Sequence, residues 1–211
     1  MPSLTSVQIK LGICIIGFLI HRKPSQSSFA AIWNYGEARE ILEFALNPLR
    51  HYGLQMRIAL FQPDIPQNAG AIFRLGACLN VPIDIIEPCG FALEDRRLKR
   101  VAMDYGAHAI INRYASWEAW LKTSQSSRTV LLTTQGSKIY TDFSFRGSDI
   151  LLVGRESAGV PSEVHAAADA RLAVPMVKGA RSLNVATTAA MVLGEALRQT
   201  GNFRHSTIKG R

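Results

Sequence analysis

The chain has 211 residues, of which 47% are hydrophobic and 19% charged, with a formal net charge of +8. These values describe a soluble globular protein long enough for one domain, or one domain plus an appendage. The charge does not by itself make the protein a nucleic-acid binder: residues 1–55 carry five bases and three acids, residues 204–211 three bases, and residues 56–203 hold 16 bases against 13 acids. Cys14, Cys78 and Cys89 form no CxxC pair, and the five histidines show no HxxxH or Cys/His spacing. That pattern fits a reduced, cytoplasmic protein, argues against a disulfide framework, and predicts no metal.

Residues 11–20, LGICIIGFLI, form an apolar run flanked by Lys10 and by Arg22 and Lys23. It is too short to span a bilayer, which takes about twenty residues, although it resembles the apolar part of a signal peptide. No membrane association is expected. Residues 1–55 carry no chemical motif and read as an N-terminal appendage or an upstream misread start. The functional domain is expected over 56–203, with 204–211 as a basic tail.

From Met56 strands alternate with helices. Strands are predicted at 57–61, 83–86, 109–111, 130–133, 150–153 and 171–174. Helices are predicted at 69–79, with Ile72, Leu75, Gly76 and Leu79 inward and Asn68 as cap, and at 94–103, 116–122 and 162–168. A last helix has Ala189, Val192, Leu193, Ala196 and Leu197 on one face, with Asn184 or Ser182 as its cap. The alternation predicts an α/β fold with a mainly parallel sheet flanked by helices. Arg96, Arg97, Lys99 and Arg100 put four bases in five positions of the 94–103 helix, which suits either a solvated face or phosphate contact.

In parallel sheets ligands sit beyond the carboxyl ends of the strands, so the segments past Phe61, Thr133, Val153 and Val174 are where chemistry is expected. Past Phe61, Asn68 precedes Arg74 by six residues, a rise of about 9 Å on a helix, and the arginine leans back toward the helix N-terminus. Past Val153 runs GRESAGVP. Its Gly154 and Gly159 begin like a phosphate loop, but Val160 and Pro161 replace the Lys-Ser/Thr pair. Arg155 stands where a serine-hydrolase elbow needs glycine, and no GxGxxG follows any strand. Past Val174 a loop of small and basic residues enters the last helix. Such backbone-rich, weakly charged loops suit a neutral or cationic small ligand better than a triphosphate.

Together, Asn68-x-Gly70-x3-Arg74, LLVGRESAGVP at 151–161 and VPMVKGARSLNVATTAAMV at 174–192 resemble the three ordered motifs of the SpoU branch of the SPOUT methyltransferases. Within that branch, IALFQPDIPQNAGAIFRL, IIEPCGFALEDRRLKR and Met103-Asp104-Tyr105 are similar to the small tRNA methyltransferases that act on the ribose 2′-OH of the wobble nucleotide. The resemblance implies a C-terminal deep trefoil knot, an obligate homodimer and S-adenosylmethionine (AdoMet) bound in the knot. It implies AdoMet contact by Leu132, Thr133, Gly154, Val174, Met176, Ser182 and Leu183, and a catalytic neighbourhood of Asn68, Arg74, Glu156, Ser182 and Asn184. The RNA-contact candidates are Arg96, Arg97, Lys99, Arg100 and Tyr105, with the tRNA anticodon stem-loop as partner. Ribosomal RNA as the substrate, and a non-catalytic knotted RNA-binding dimer, are the alternatives.

Overall fold

Seven short strands, all parallel, form the single sheet of the described residues, 55–93 and 109–203 in a computed structural model. The elements are β1 (Arg57–Phe61), α1 (Pro66–Leu79), β2 (Ile83–Ile86), β3 (Ile111–Tyr114), α2 (Trp117–Ser124), β4 (Thr129–Leu132), β5 (Lys138–Ile139), β6 (Ile150–Val153), α3 (Ser162–Ala167), β7 (Ala170–Ala173) and α4 (Val185–Thr200). In spatial order the sheet runs β3-β2-β1-β6-β4-β7-β5. β6 thus enters between β1 and β4, and β7 between β4 and β5.

The period of two along the strands sorts side chains onto two faces. Ile58, Leu60, Val130, Leu132, Leu151 and Val153 meet α1 and α4 in one cluster, while Ala59, Phe61, Leu131, Ile150 and Leu152 meet Trp120 of α2 and Val164 of α3 in the other. Helices therefore cover both faces, which is why β1, β2, β4 and β6 are buried along their whole length. α4 buries Ala189, Val192, Leu193, Ala196 and Leu197 as its apolar spacing predicts. Burying a Val or Leu side chain is worth about 1.5–3 kcal/mol, so this stripe holds the helix to α1 and β6, against which it packs.

Most bounds lie within one or two residues of the sequence expectation, and three elements depart further. α1 begins at Pro66, three residues early, because Pro at the first turn lacks an N–H and the extended Ile65 serves as the cap position with no side-chain bond. β3 lies at 111–114 rather than 109–111: it is the edge strand, where polar Asn112 and Arg113 are tolerated. The two-residue β5 at the opposite edge is exposed and too short to leave a hydrophobic pattern. The helix predicted at 94–103 and the RNA-contact candidates Arg96, Arg97, Lys99, Arg100 and Tyr105 fall outside the described residues, as do residues 1–54 and 204–211.

Candidate active site

The carboxyl ends of β1, β6, β4 and β7 are neighbours in the sheet, so the segments that follow them meet. Between them lies a cleft of ≈ 450 Å³. Its wall includes Leu132, Thr133, Gly154, Val174, Met176, Ser182 and Leu183, all the residues for which cofactor contact was expected, together with Asn68, Glu156 and Asn184. Arg74 is exposed on α1 and is not part of this wall.

Close backbone approaches shape the cleft. Thr133 N–H donates to Leu172 O at 2.9 Å, tying the segment after β4 to β7. At Gly136 an added Cβ would lie 2.4 Å from Ala173 N and Leu172 C, so only glycine fits. After β6, Arg155 and Gly159 exchange N–H···O bonds of 2.9 Å and close a tight turn. Gly154, which begins it, lies so near Gly159 that a Cβ would come within 2.6 Å of its carbonyl carbon.

At one end of the cleft a chain of side-chain hydrogen bonds crosses the sheet. Because the helix starts at Pro66, Asn68 lies within its first turn and does not serve as the cap. Its Nδ2 donates to Glu156 Oε1 at 3.1 Å, and its Oδ1 accepts from Asn184 Nδ2 at 2.8 Å. Asn184 is the cap of α4: its Oδ1 accepts from the N–H groups of Ala186 (2.9 Å) and Thr187 (3.2 Å). Ser182, the other cap candidate, is left in the loop that lines the cleft. Donor and acceptor sense is thereby fixed from the Glu156 carboxylate to the α4 N-terminus, and these bonds use one N–H of each asparagine amide, leaving the second for a ligand oxygen.

Sequence reasoning missed Asp64. Its carboxylate accepts from the N–H of Glu156 at 3.1 Å, from the N–H of Ser157 at 3.3 Å and from the Ser157 hydroxyl, while Asp64 N–H donates to Glu156 Oε2 at 3.2 Å. The Glu156 side chain, foremost, and then the Ser157 hydroxyl and the two main-chain N–H groups hold the Asp64 carboxyl down at about 2 against the opposing effect of burial. Burial, then the bond with Asp64, pushes Glu156 above the usual carboxylate range. The partners are 92 residues apart, and no local spacing links them. Position alone was a signal, since Asp64 stands just past the carboxyl end of β1. The Arg155 guanidinium also donates to Gln62 Oε1 across the same gap.

Residues 55–194 match the model of the SpoU rRNA Methylase family. The chain belongs to the SpoU family. A tRNA (cytidine(34)-2'-O)-methyltransferase of Beijerinckia indica subsp. indica is 56% identical to this SpoU protein over 147 residues, covering 68% of this chain and 91% of that one. The counterpart from Escherichia coli K12 is 36% identical over 148 residues, 69% of this chain and 94% of its own. A solved structure concerned with the 2-OH methylation of C/U34 on tRNA superposes on this SpoU fold with a TM-score of 0.67 at 36% identity, covering 70% of this chain and 97% of that one.

Proposed function

We propose that the protein methylates the ribose 2′-OH of the wobble nucleotide, cytidine or uridine 34, in the tRNA anticodon, using AdoMet. The observation that carries this reading is the cleft itself, assembled from the three SpoU motifs with Asn68, Glu156 and Asn184 hydrogen-bonded at one end. The names of the relatives at 56% and 36% identity support the choice of substrate.

AdoMet suits the residues present. The cleft volume lies within the range of about 300–1,000 Å³ usual for small-molecule sites. The walls combine aliphatic side chains with uncharged polar ones such as Asn68, Thr133, Ser182 and Asn184, and carry one acid, Glu156, with Arg155 the single Lys or Arg among the residues that line them. A ligand bearing a sulfonium and an apolar body fits there better than a polyphosphate. Leu132, Thr133, Gly154, Val174, Met176, Ser182 and Leu183 would hold it.

When bound, AdoMet supplies an electrophilic methyl group, so the residues of the chain must orient the acceptor hydroxyl and favour loss of its proton. Asn68, Asn184 and Ser182 offer donors for the ribose and its neighbours. Arginine is always protonated at physiological pH, so Arg74 acts as a cation on the developing alkoxide or an adjoining phosphate and not as a base. Arg74→Ala is expected to lower kcat by about a hundredfold, the usual scale for losing one such group. Arg74→Lys should restore only part of that rate, since an ammonium lacks the bidentate fork; full activity in the lysine variant would remove this role.

Two further features belong to the proposal. The C-terminal segment threads the loop between β4 and β6 as a trefoil knot, supported by the entry of β7 between β4 and β5 and by the bonds of Gln199 on α4 to Phe143 O and Phe145 N–H within that loop. Two copies pair through α1 and α4, supported by Ile65, Leu183 and Met191, each about two-fifths exposed at or beside these helices. Pairing would let Arg74 approach the cleft of the second copy. Among the described residues no helix is long and apolar enough to cross a membrane, and no group of three His, Cys, Asp or Glu is placed to hold a metal ion. The proposed setting is the cytoplasm, where tRNA is modified.

Incubation of the protein with methyl-labelled AdoMet and either total tRNA or ribosomal RNA tests the reading. Label at nucleotide 34 of tRNA is expected. The family description names rRNA, which favours one rival: label confined to rRNA would move the substrate there, and no label in either RNA would leave a binding protein.

A further inference from the structure

The segment after β1 is held by more than its own turn. Gln62 adopts φ +46°, in the left-handed region that residues other than glycine seldom enter, and its side chain is gripped by Arg155. Strain of this kind persists where surrounding contacts over-determine it. Two residues on, Asp64 binds the main chain of both Glu156 and Ser157 while its own N–H returns to Glu156. The segment after β2 closes on the same point: Gly90 N–H donates to Pro63 O at 2.9 Å, and a Cβ on Gly90 would lie 2.9 Å from Asp64 Cα and Cβ. Three strand ends therefore meet at Asp64.

We propose that Asp64 is a positioning residue for the acceptor half of the site: by pinning the main chain at Glu156 and Ser157 it sets where Glu156 holds Asn68, and hence where the Asn68 and Asn184 amides meet the ribose. The inference rests on the methyl-transfer reading above for its consequence, though not for the clamp. Asp64 has the right chemistry for the task. An ionised carboxylate only accepts hydrogen bonds, and here it faces two N–H groups and a hydroxyl. Its carboxyl, held at about 2, stays ionised throughout the range in which tRNA enzymes work. Glu156 turns its carboxylate to other partners, one oxygen to Asn68 and one to the Asp64 N–H.

Asp64→Asn tests this. The amide keeps the size of the side chain but points a donor at main-chain donors. Hydrogen exchange on the full chain, read by mass spectrometry, is expected to accelerate at residues 154–159 and 66–70 and to stay unchanged at 133–136. In methylation assays kcat should fall by about a hundredfold, the scale on which a shift of about 1 Å acts, while AdoMet affinity by calorimetry falls far less, because Asp64 takes no part in the Arg155–Gly159 bonds that close the turn after β6. Ser157→Ala, which removes one bond to Asp64 from an exposed loop position, should change the same readouts in the same direction by less, and it serves if Asp64→Asn fails to fold. Unchanged exchange at 154–159, unchanged kcat, or a loss confined to AdoMet affinity each overturns the proposal. If the parent protein labels no RNA, the methyl-transfer reading fails, and the exchange data alone then decide for or against the clamp.

Discussion

Gly154→Ala is expected to weaken AdoMet binding by roughly thirty- to eight-hundred-fold, or about 2–4 kcal/mol. The new Cβ would stand 2.6 Å from the carbonyl carbon of Gly159, 2.7 Å from its oxygen and 2.9 Å from Val160 Cγ1. The obstructing atoms are backbone, fixed by the paired Arg155–Gly159 bonds, so no rotamer change relieves the clash. The turn must open, which sacrifices hydrogen bonds worth about 1 kcal/mol each and adds an overpacking cost of about 1–3 kcal/mol. Gly159→Ala is the control: it meets nothing within 4 Å, and its penalty is the φ of +66° alone, about 1–2 kcal/mol. Calorimetric titration with AdoMet reads both variants. Parent-like affinity in Gly154→Ala would mean that the turn after β6 is not a cofactor wall.

Asp84→Ala is expected to be the most destabilising single truncation away from the cleft. Asp84 is fully buried on the α2 side of β2 and accepts from Asn112 Nδ2 at 2.9 Å and Trp120 Nε1 at 2.9 Å, with Arg57 Nη1 at 3.2 Å. Arg57 is itself buried, and its Nε has no hydrogen-bond partner among the described residues, so Asp84 is what offsets the charge. Removing one member of a buried pair costs about 3–5 kcal/mol, because the other charge is left desolvated and alone. For a chain of this size each kcal/mol shifts the melting temperature by about 2–4 °C. Urea unfolding followed by tryptophan fluorescence measures the effect, since Trp120 loses its acceptor in the same variant. A change below about 1 kcal/mol, the range of an exposed ion pair, would mean that water reaches Arg57.

The sheet was legible because parallel strands buried on both faces write themselves as apolar runs: IALF, TVLL and ILLV announce β1, β4 and β6 without any partner being known. The last helix was legible through its five-residue stripe and its cap at Asn184. Edge strands were less so: with polar Asn112 and Arg113 at its centre β3 reads early, at 109–111, and the short exposed β5 leaves no apolar pattern. At the cleft, the ordered motifs pointed to the segments that meet, but a motif records which residues recur and not what each one touches. Asn68 read as a cap because Asn before an apolar helix usually is one; the helix in fact starts at Pro66, which puts Asn68 inside the first turn and directs its amide to Glu156 and Asn184. Asp64 offered only its place past the end of β1, because its partners lie 92 and 93 residues away on another strand end.

The bond between Asn68 and Asn184 spans 116 residues of sequence. During synthesis the first amide leaves the ribosome long before the second exists, and β1 waits beside a gap that β6 fills only later. A nascent chain therefore carries half a site with nothing to close it. Contacts this distant fold slowly, because loop closure must be paid before they reward it. The cleft is consequently incomplete until the last helix has been made, and a chain interrupted before Asn184 lacks both the bond to Asn68 and the wall that Asn184, Val185, Thr188 and Val192 supply.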